Sequence, residues 1–237
     1  MKLSAPIYLL KRQAKQLSRK DGVSLNEALN NIARREGFES WSLLAARYAR
    51  RGPATKLLAA LNCGDLVLLG ARPGHGKTLM GIELIVESIK AGKQAAFYSL
   101  EYTETEIAGR FVDLGADINA CGRAFTFDIS NEISADYIIG QLKAAPNGTI
   151  VVIDYLQLLD QDRQKPILKT QVSALKSFAQ KMGLIIIMLS QIDRSYDPTA
   201  KPLPDMSDVR LPNPLDLRLF SKMIFLNNGD VNIQAIA

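Results

Sequence analysis

Hydrophobic residues follow two different periods along this chain. In roughly the first fifty residues they recur every three or four positions between charged ones, which is the period of an amphipathic helix. Gly22 and Gly37 interrupt the pattern and divide it into three parts. Ser24, followed three residues later by Glu27, is typical of a helix N-cap with a capping box, and Ser40 is predicted to begin the third helix. The pattern predicts a small three-helix module without strands.

From residue 54 onward, short continuous apolar runs alternate with amphipathic helical stretches. Continuous runs indicate strands that are covered on both faces, and their alternation with helices indicates a parallel α/β sheet. The main runs are DLVLLG (65–70), AAFYSL (95–100), TIVVID (149–154) and LIIIMLS (184–190), and later strands are predicted at 222–226 and 231–235. We therefore predict a helical module at 1–52 and an α/β domain at 53–237.

The composition is that of a folded globular protein. Of its 237 residues, 47% are hydrophobic and 22% are charged. No apolar run approaches the ~20 residues that cross a bilayer, and the N-terminal residues do not resemble a signal peptide. Cys63 and Cys121 match no metal or redox spacing, so we expect free thiols in a reducing compartment. These features predict a cytoplasmic protein without a membrane partner or a zinc site.

Positive charge is concentrated at the front of the chain. The net charge is +5, yet residues 1–52 carry 11 Lys and Arg against 4 Asp and Glu. Several of these cations belong to the first predicted helix: Lys11, Arg12, Lys15, Arg19 and Lys20. This basic face is either simply solvated or in contact with a nucleic-acid backbone or an acidic protein.

The segment GARPGHGKTLM, residues 70–80, follows a predicted strand and precedes a predicted helix, as a phosphate-binding loop does. Lys77 would reach the β- and γ-phosphates of a nucleotide, and the Thr78 hydroxyl would help to hold Mg²⁺. Ala71 occupies the place of the first glycine in the pattern G-x-x-x-x-G-K-[ST], which is a small change if the backbone there accommodates a Cβ atom. The predicted nucleotide-binding residues are Ala71, Arg72, Pro73, Gly74, His75, Gly76, Lys77, Thr78 and Leu79.

His75 is the single histidine of the chain. A catalytic role is possible for it. The interior of such loops usually presents backbone groups to the phosphates, however, so we favour a partly exposed loop residue.

Two acidic residues complete the predicted site. Asp154 ends the apolar run TIVVID and is the expected partner of Thr78 in holding Mg²⁺. Because Tyr155 follows it, the base must come from elsewhere in the chain. Glu101 follows the run AAFYSL, at the end of a strand where open α/β sheets bind ligands. It is either the base that activates water or the first-turn acid of the next helix.

These segments together resemble the ATPase domain of the DnaB-type replicative helicases, which are RecA-like P-loop ATPases. The similar segments, in order, are ARPGHGKT, FYSLEYTETEIAGR, VVIDYLQLL, QVSALKSFAQKMGLIIIMLSQIDR and MSDVR. Ala71 followed by Arg72 and Pro73 is itself familiar in that family. The resemblance covers about residues 55–235 and implies a RecA-like fold that uses ATP and Mg²⁺.

The resemblance also implies roles for individual residues. It indicates Glu101 as the catalytic carboxylate, Gln191 as a sensor between the γ-phosphate and the nucleic-acid side, and Arg110 and Gln157 as matching family positions. At position 193, Asp replaces the Asn of the family segment S-Q-L-N-R. The spacing from Glu101 to Asp154 is also shorter than is typical of the family.

Two hypotheses for function follow from this resemblance. The first is an ATP-driven motor that assembles as a ring on DNA in replication or mobile-element maintenance, in a bacterium or phage. The second is an ATP-gated accessory or regulatory protein that binds DNA or another replication protein without unwinding. The motif match favours the first. The family's finger segment K-x-R-N-G has no counterpart in FLNNGDVNIQAIA, which favours the second.

Overall fold

The structure, a computed structural model, describes residues 4, 7–45, 52–156, 159, 166–211, 213–227 and 230–236. The chain divides into two compact units, Met1–Lys56 and Leu57–Ala237. The predicted boundary at residue 52 lies slightly earlier, just before a helix that spans the division. Among the helices of the described residues, none combines the length and the apolar character that a membrane crossing requires.

The first unit is helical, as its sequence period predicts. It contains α1 (Ile7–Asp21), α2 (Leu25–Arg35) and the described part of α3 (41–45). Buried apolar side chains of α1 and α2 form its core: Leu10, Ala14, Ala28 and Ile32. Trp41 packs against this core and also, with Phe38, against the buried Leu44. The predicted continuation of α3 falls on residues 46–51, outside the described residues.

The N-cap of α2 is only partly as predicted. The Ser24 hydroxyl accepts a hydrogen bond from the backbone N–H of Glu27 (3.2 Å), but the described contacts do not include the return bond that would complete a capping box. A complete capping box lies instead in the second unit, where Thr103 and Glu106 exchange both bonds.

The second unit alternates strands and helices. The helix α4 (Pro53–Ala60) spans the division between the units. The elements that follow are β1 (Leu66–Ala71), α5 (Lys77–Lys90), β2 (Ala95–Ser99), α6 (Glu104–Asp113), α7 (Ile118–Cys121), β3 (Phe125–Asp128), α8 (Ala135–Gln141), β4 (Ile150–Asp154), α9 (Leu168–Met182), β5 (Ile185–Gln191), β6 (Lys222–Asn227) and β7 (Asp230–Ala235).

The seven strands of the described residues form one sheet in the order β3-β2-β4-β5-β1-β6-β7. Every neighbouring pair is parallel except β6 and β7, which are antiparallel. In this register Ala71 lies opposite Gln191, and Ser99 lies opposite Asp154. The polar residues that end the central strands therefore meet at one edge of the sheet.

Helices cover both faces of the sheet, which explains why the strands are apolar without alternation. On one face, α8 and α9 pack against side chains such as Leu68 and Val151. On the other face, α5 packs closely on β4, since a Cβ atom at Gly81 would lie only 3.0 Å from Cγ1 of Val152. The predicted parallel α/β architecture is confirmed.

A largely buried ion pair joins the beginnings of β1 and β6, at the end of the sheet opposite to the one where Ala71, Ser99 and Asp154 lie. The Asp65 carboxylate accepts hydrogen bonds from the Lys222 ammonium, the Ser221 hydroxyl (2.9 Å) and the backbone N–H of Asn62 (2.7 Å). Burial alone would raise the pKa of Asp65, but these hydrogen bonds, chiefly that from Lys222, outweigh burial and lower the pKa.

We predict that Asp65→Asn lowers the free energy of unfolding by roughly 2–4 kcal/mol at pH 7, because it leaves the Lys222 charge shielded without its partner. Since the folded-state pKa of Asp65 is lowered, its stabilisation is complete above the ordinary value of 3.8 and disappears as the pH falls through the folded-state value. Urea denaturation of both proteins should therefore show a difference that shrinks toward pH 3.

Asp216→Asn is the matched control for this prediction, because Asp216 pairs with an Arg218 that is 79% exposed. We expect a change within about 0.5 kcal/mol for this exposed pair. An equal loss from both variants would contradict the role given to Asp65.

Candidate nucleotide site

The phosphate loop begins inside the sheet. Ala71 is the last residue of β1, is fully buried, and pairs with Gln191 of β5 on one side and Leu226 of β6 on the other. Extended backbone accommodates a Cβ atom without strain. The first position of the loop pattern therefore does not need glycine here.

The two later glycines are different, because their backbones are left-handed. Gly74 has φ 79° and Gly76 has φ 89°, and an added Cβ atom would have nothing within 4 Å at either position. Backbone conformation rather than space selects glycine there. Gly76 is also the N-cap of α5, and it offers no side chain to the first-turn N–H groups, which suits an anionic ligand.

Lys77, Thr78 and Asp154 form one hydrogen-bonded group. Lys77 Nζ donates to Asp154 Oδ1 (2.9 Å), and Thr78 Oγ1 donates to Asp154 Oδ2 (2.7 Å). Asp154 is fully buried, and Lys77 and Thr78 are each 9% exposed. Both carboxylate oxygens of the strand-end aspartate are thus committed to the first turn of α5.

Glu101 lies at the margin of this group, and its Oε2 atom is 3.9 Å from Lys77 Nζ. Its backbone N–H donates to the hydroxyl of the buried Ser99 (3.0 Å), which fixes the chain just beyond β2. Partial burial raises the pKa of Glu101; the Lys77 ammonium opposes this shift and the Asp154 carboxylate adds to it. The helix α6 begins at Glu104 with Thr103 as its cap, so Glu101 is not the first-turn acid of a helix.

Gln191 ends β5 beside the beginning of the phosphate loop. Its backbone carbonyl accepts from the Arg210 N–H (2.9 Å), and its Oε1 accepts from Arg210 Nη1 (3.3 Å). A bridge between Ile192 and Val209 continues this pairing. The segment 193–211 therefore returns to the same edge of the sheet.

The remaining predicted residues are placed less centrally. Arg110 lies on α6 and is exposed, where its charge contributes to lowering the pKa of Glu106 after the larger effect of the Thr103 hydrogen bonds. His75 is partly exposed and contacts Asn227. Gln157 lies outside the described residues.

Three contributors to the site were not predicted from the sequence. The Tyr155 ring centroid lies 5.8 Å from Lys77 Nζ, within the range of a cation–π contact. Ser99 holds the backbone of Glu101, and Asn227 contacts His75. Ser99 and Tyr155 adjoin predicted strand ends, which is a signal that could have been used. Nothing in the local sequence distinguishes Asn227.

The oxygen donors of the site fit magnesium. Among the described residues there is no group of three or more His, Cys, Asp or Glu side chains that could hold a metal by itself. Mg²⁺ is usually bound by one or two protein oxygens together with substrate phosphates, however. Asp154 and the Thr78 hydroxyl supply such a pair of oxygens, 2.7 Å apart.

The fold and the loop define the class of this protein as a RecA-like P-loop NTPase. The sequence matches the DnaB-like helicase C-terminal domain family over residues 55–124 and 125–213, which is more than half of the chain. The chain belongs to this family.

Curated relatives of the chain are helicases from several bacteria. The replicative DNA helicase DnaB of Leifsonia xyli is 27% identical over 186 residues, covering 65% of this chain and 41% of the relative. A probable plasmid replicative DNA helicase of Chlamydia trachomatis is 24% identical over 178 residues, covering 62% and 39%. The chain thus spans about two fifths of the length of each of these two relatives.

Solved structures show the same fold. One of them, described as an ATPase domain, aligns with a TM-score of 0.55 at 22% identity, covering 69% of each chain. A DnaB-like replicative helicase, described with its interactions with primase, aligns with a TM-score of 0.59 at 18% identity, covering 96% of this chain and 74% of that one.

We predict that Ala71→Gly, which restores the general loop pattern, lowers the free energy of unfolding by about 1–2 kcal/mol. The change removes a buried methyl group and adds backbone freedom in an interior strand. Urea denaturation would measure this loss. An equal or higher stability of Ala71→Gly would show that residue 71 is strained with alanine.

Proposed function

We propose that this chain binds and hydrolyses ATP with Mg²⁺, as a DnaB-like helicase-type ATPase that acts on or near DNA in the cytoplasm. The observation that carries the proposal is the group formed by Lys77, Thr78 and Asp154, with Glu101 at its margin. A buried carboxylate that holds both a lysine and a hydroxyl of a phosphate loop has the composition that phosphoryl transfer requires.

The loop residues 71–79 would bind the nucleotide. Backbone N–H groups of the loop and of the first turn of α5 would face the phosphates, apart from the His75 N–H, which donates to the Arg72 carbonyl (3.1 Å), and the Lys77 ammonium would neutralise the phosphate charge. Thr78 and Asp154 would hold Mg²⁺, which supplies electrostatic stabilisation of the transferring phosphoryl group when bound.

Glu101 would orient the attacking water and accept its proton. Its position just beyond β2 and before α6 supports this role, because no helix N-terminus uses this carboxylate as a first-turn acid. Its raised pKa also supports it, because a base is more effective when its pKa approaches the operating pH. Gln191, at the adjacent strand end, would sense the γ-phosphate and transmit its presence through Arg210 to the segment 193–211.

We predict that Glu101→Gln lowers kcat for ATP hydrolysis by about 10²–10⁴-fold while ATP affinity is retained, because the amide cannot accept the proton. Phosphate release and nucleotide titration measure the two quantities. In the wild type, a base with a pKa above the ordinary 4.5 must lose its proton before it acts, so turnover should rise with pH through a midpoint above 4.5.

Glu104→Gln is the control for this experiment, since Glu104 is an exposed acid in the first turn of α6. It should leave turnover unchanged. Unaltered turnover in Glu101→Gln would remove Glu101 from the role of base.

DNA is the proposed macromolecular partner, and the helix α1 is its proposed contact in the first unit. Lys15 and Arg19 lie one turn apart on its surface with Arg12 beside them, and all three are exposed. Arg19 and Lys20 lie in the last turn of α1, and the helix has no acidic residue in its first turn, so the described surface of α1 is strongly cationic. A polyanion would bind such a surface and release small counterions from its own phosphates.

We predict that a combined Arg12→Gln, Arg19→Gln and Lys20→Gln variant of the full chain binds single-stranded DNA more weakly and with a shallower salt dependence. Each lost phosphate contact should reduce the slope of log K against log salt by about 0.7. Fluorescence anisotropy at several salt concentrations measures this slope.

The charge-matched control replaces exposed lysines of the second unit: Lys143, Lys169 and Lys181. We expect it to retain the wild-type slope. Measuring ATP turnover of the wild-type chain with and without DNA separates the two hypotheses for function, because a motor on DNA should hydrolyse ATP faster when DNA is added. Turnover that ignores DNA in a protein that binds it would favour the accessory role.

A further inference from the structure

The Asn227 side chain, at the end of β6, joins two segments that are distant in sequence. Its Nδ2 donates a hydrogen bond to the Pro202 carbonyl (2.8 Å), and its Oδ1 lies 3.1 Å from His75 Nδ1. Asn227 is only 7% exposed, although both contacts are only partly buried because His75 is half-buried and Pro202 is exposed. The phosphate loop and the segment 193–211 therefore share one amide group.

The contact with Pro202 sets the direction of the hydrogen bond between His75 and Asn227. A carbonyl only accepts, so the Asn227 amide must turn its nitrogen toward Pro202 and its oxygen toward His75. The oxygen only accepts as well, so His75 Nδ1 must carry the hydrogen.

His75 is well placed to control the shape of the phosphate loop. It stands between Gly74 and Gly76, whose left-handed backbones have no side chains and no neighbour near a would-be Cβ atom. The loop therefore gains little rigidity from packing at these glycines. A side-chain contact at His75 restricts both of them at once.

The segment 193–211 is also close to the loop through a second residue. Hydrogen bonds from Thr199 lower the pKa of Asp197, and the positive charge of Arg72 adds to this effect. Near the end of the same segment, Arg210 donates a hydrogen bond to Gln191. Two side chains of the loop therefore interact with the segment that follows β5: His75 through the shared amide of Asn227, and Arg72 through its charge on Asp197.

We propose that Asn227 is a positioning residue for nucleotide binding, which holds the phosphate loop in its binding conformation through His75 and connects it to the segment 193–211. This proposal rests on the proposed ATP site. A loop that is already ordered loses less conformational entropy when a ligand binds, so the contact with Asn227 raises nucleotide affinity.

The test measures the dissociation constants of ATP and ADP with Mg²⁺ by direct titration of the full chain. Asn227→Leu removes both contacts at similar size, and we expect both nucleotides to bind about 3- to 10-fold more weakly, the range for one hydrogen bond. Asn232→Leu, the same change on the neighbouring strand β7, is the control and should retain wild-type affinity.

Substitutions of His75 make the test specific to this contact. His75→Ala should weaken binding as Asn227→Leu does, and the double variant should be no weaker than either single variant, because one interaction cannot be lost twice. His75→Asn places an N–H donor at the position of Nδ1 and should restore most of the affinity. Thermal denaturation of each variant shows whether the fold is retained.

Several outcomes would overturn the proposal. Unchanged nucleotide affinity in Asn227→Leu would do so, as would losses that add fully in the double variant. A lower melting temperature with unchanged affinity would indicate that Asn227 only stabilises the fold. If the wild-type chain fails to bind ATP, the proposed function itself is wrong. If the wild type binds ATP and Asn227→Leu binds it equally well, only the proposal for Asn227 is wrong.

Discussion

The buried carboxylate of Asp154 is the group on which the arrangement of the site depends. A carboxylate with no exposed surface is unfavourable unless its oxygens are paired, and here one oxygen contacts the Lys77 ammonium and the other the Thr78 hydroxyl. This requirement fixes the first turn of α5 relative to the end of β4. Glu101 then takes its place beside Lys77, since Ser99 of the adjacent strand holds its backbone.

The parallel register makes this convergence possible, and the opposite edge of the sheet supports it. Residues that end β1, β2, β4 and β5 meet because their strands run in the same direction and are aligned by their hydrogen bonds. At the opposite end of the strands, where β1 and β6 begin, the ion pair between Asp65 and Lys222 joins these two strands. Charged groups thus occur at the two ends of strands whose interior is apolar: an ion pair where the strands begin and the proposed nucleotide site where they end.

Much of this arrangement could be predicted from local sequence, because the controlling signals are local. Continuous apolar runs indicate buried parallel strands, and a strand followed by G-K-T indicates a phosphate loop. The strand β3 escaped prediction because FTFD is short, half-exposed and lies at the edge of the sheet. The capping box expected at Ser24 is incomplete, whereas a complete one at Thr103 begins a helix whose start the sequence did not locate. Such side-chain bonds depend on tertiary surroundings.

The contact between His75 and Asn227 shows where local signals end. The two residues are 152 positions apart, and they meet because β6 is the neighbour of β1 in the sheet. No periodicity in either segment encodes that pairing. The glycines of the loop, by contrast, are explained by their own backbone conformations, and Ala71 by its place in the last pair of β1. A phosphate loop is therefore recognisable from its own residues, while the side chains that hold it in shape are selected by strand order and are found only once the sheet is assembled.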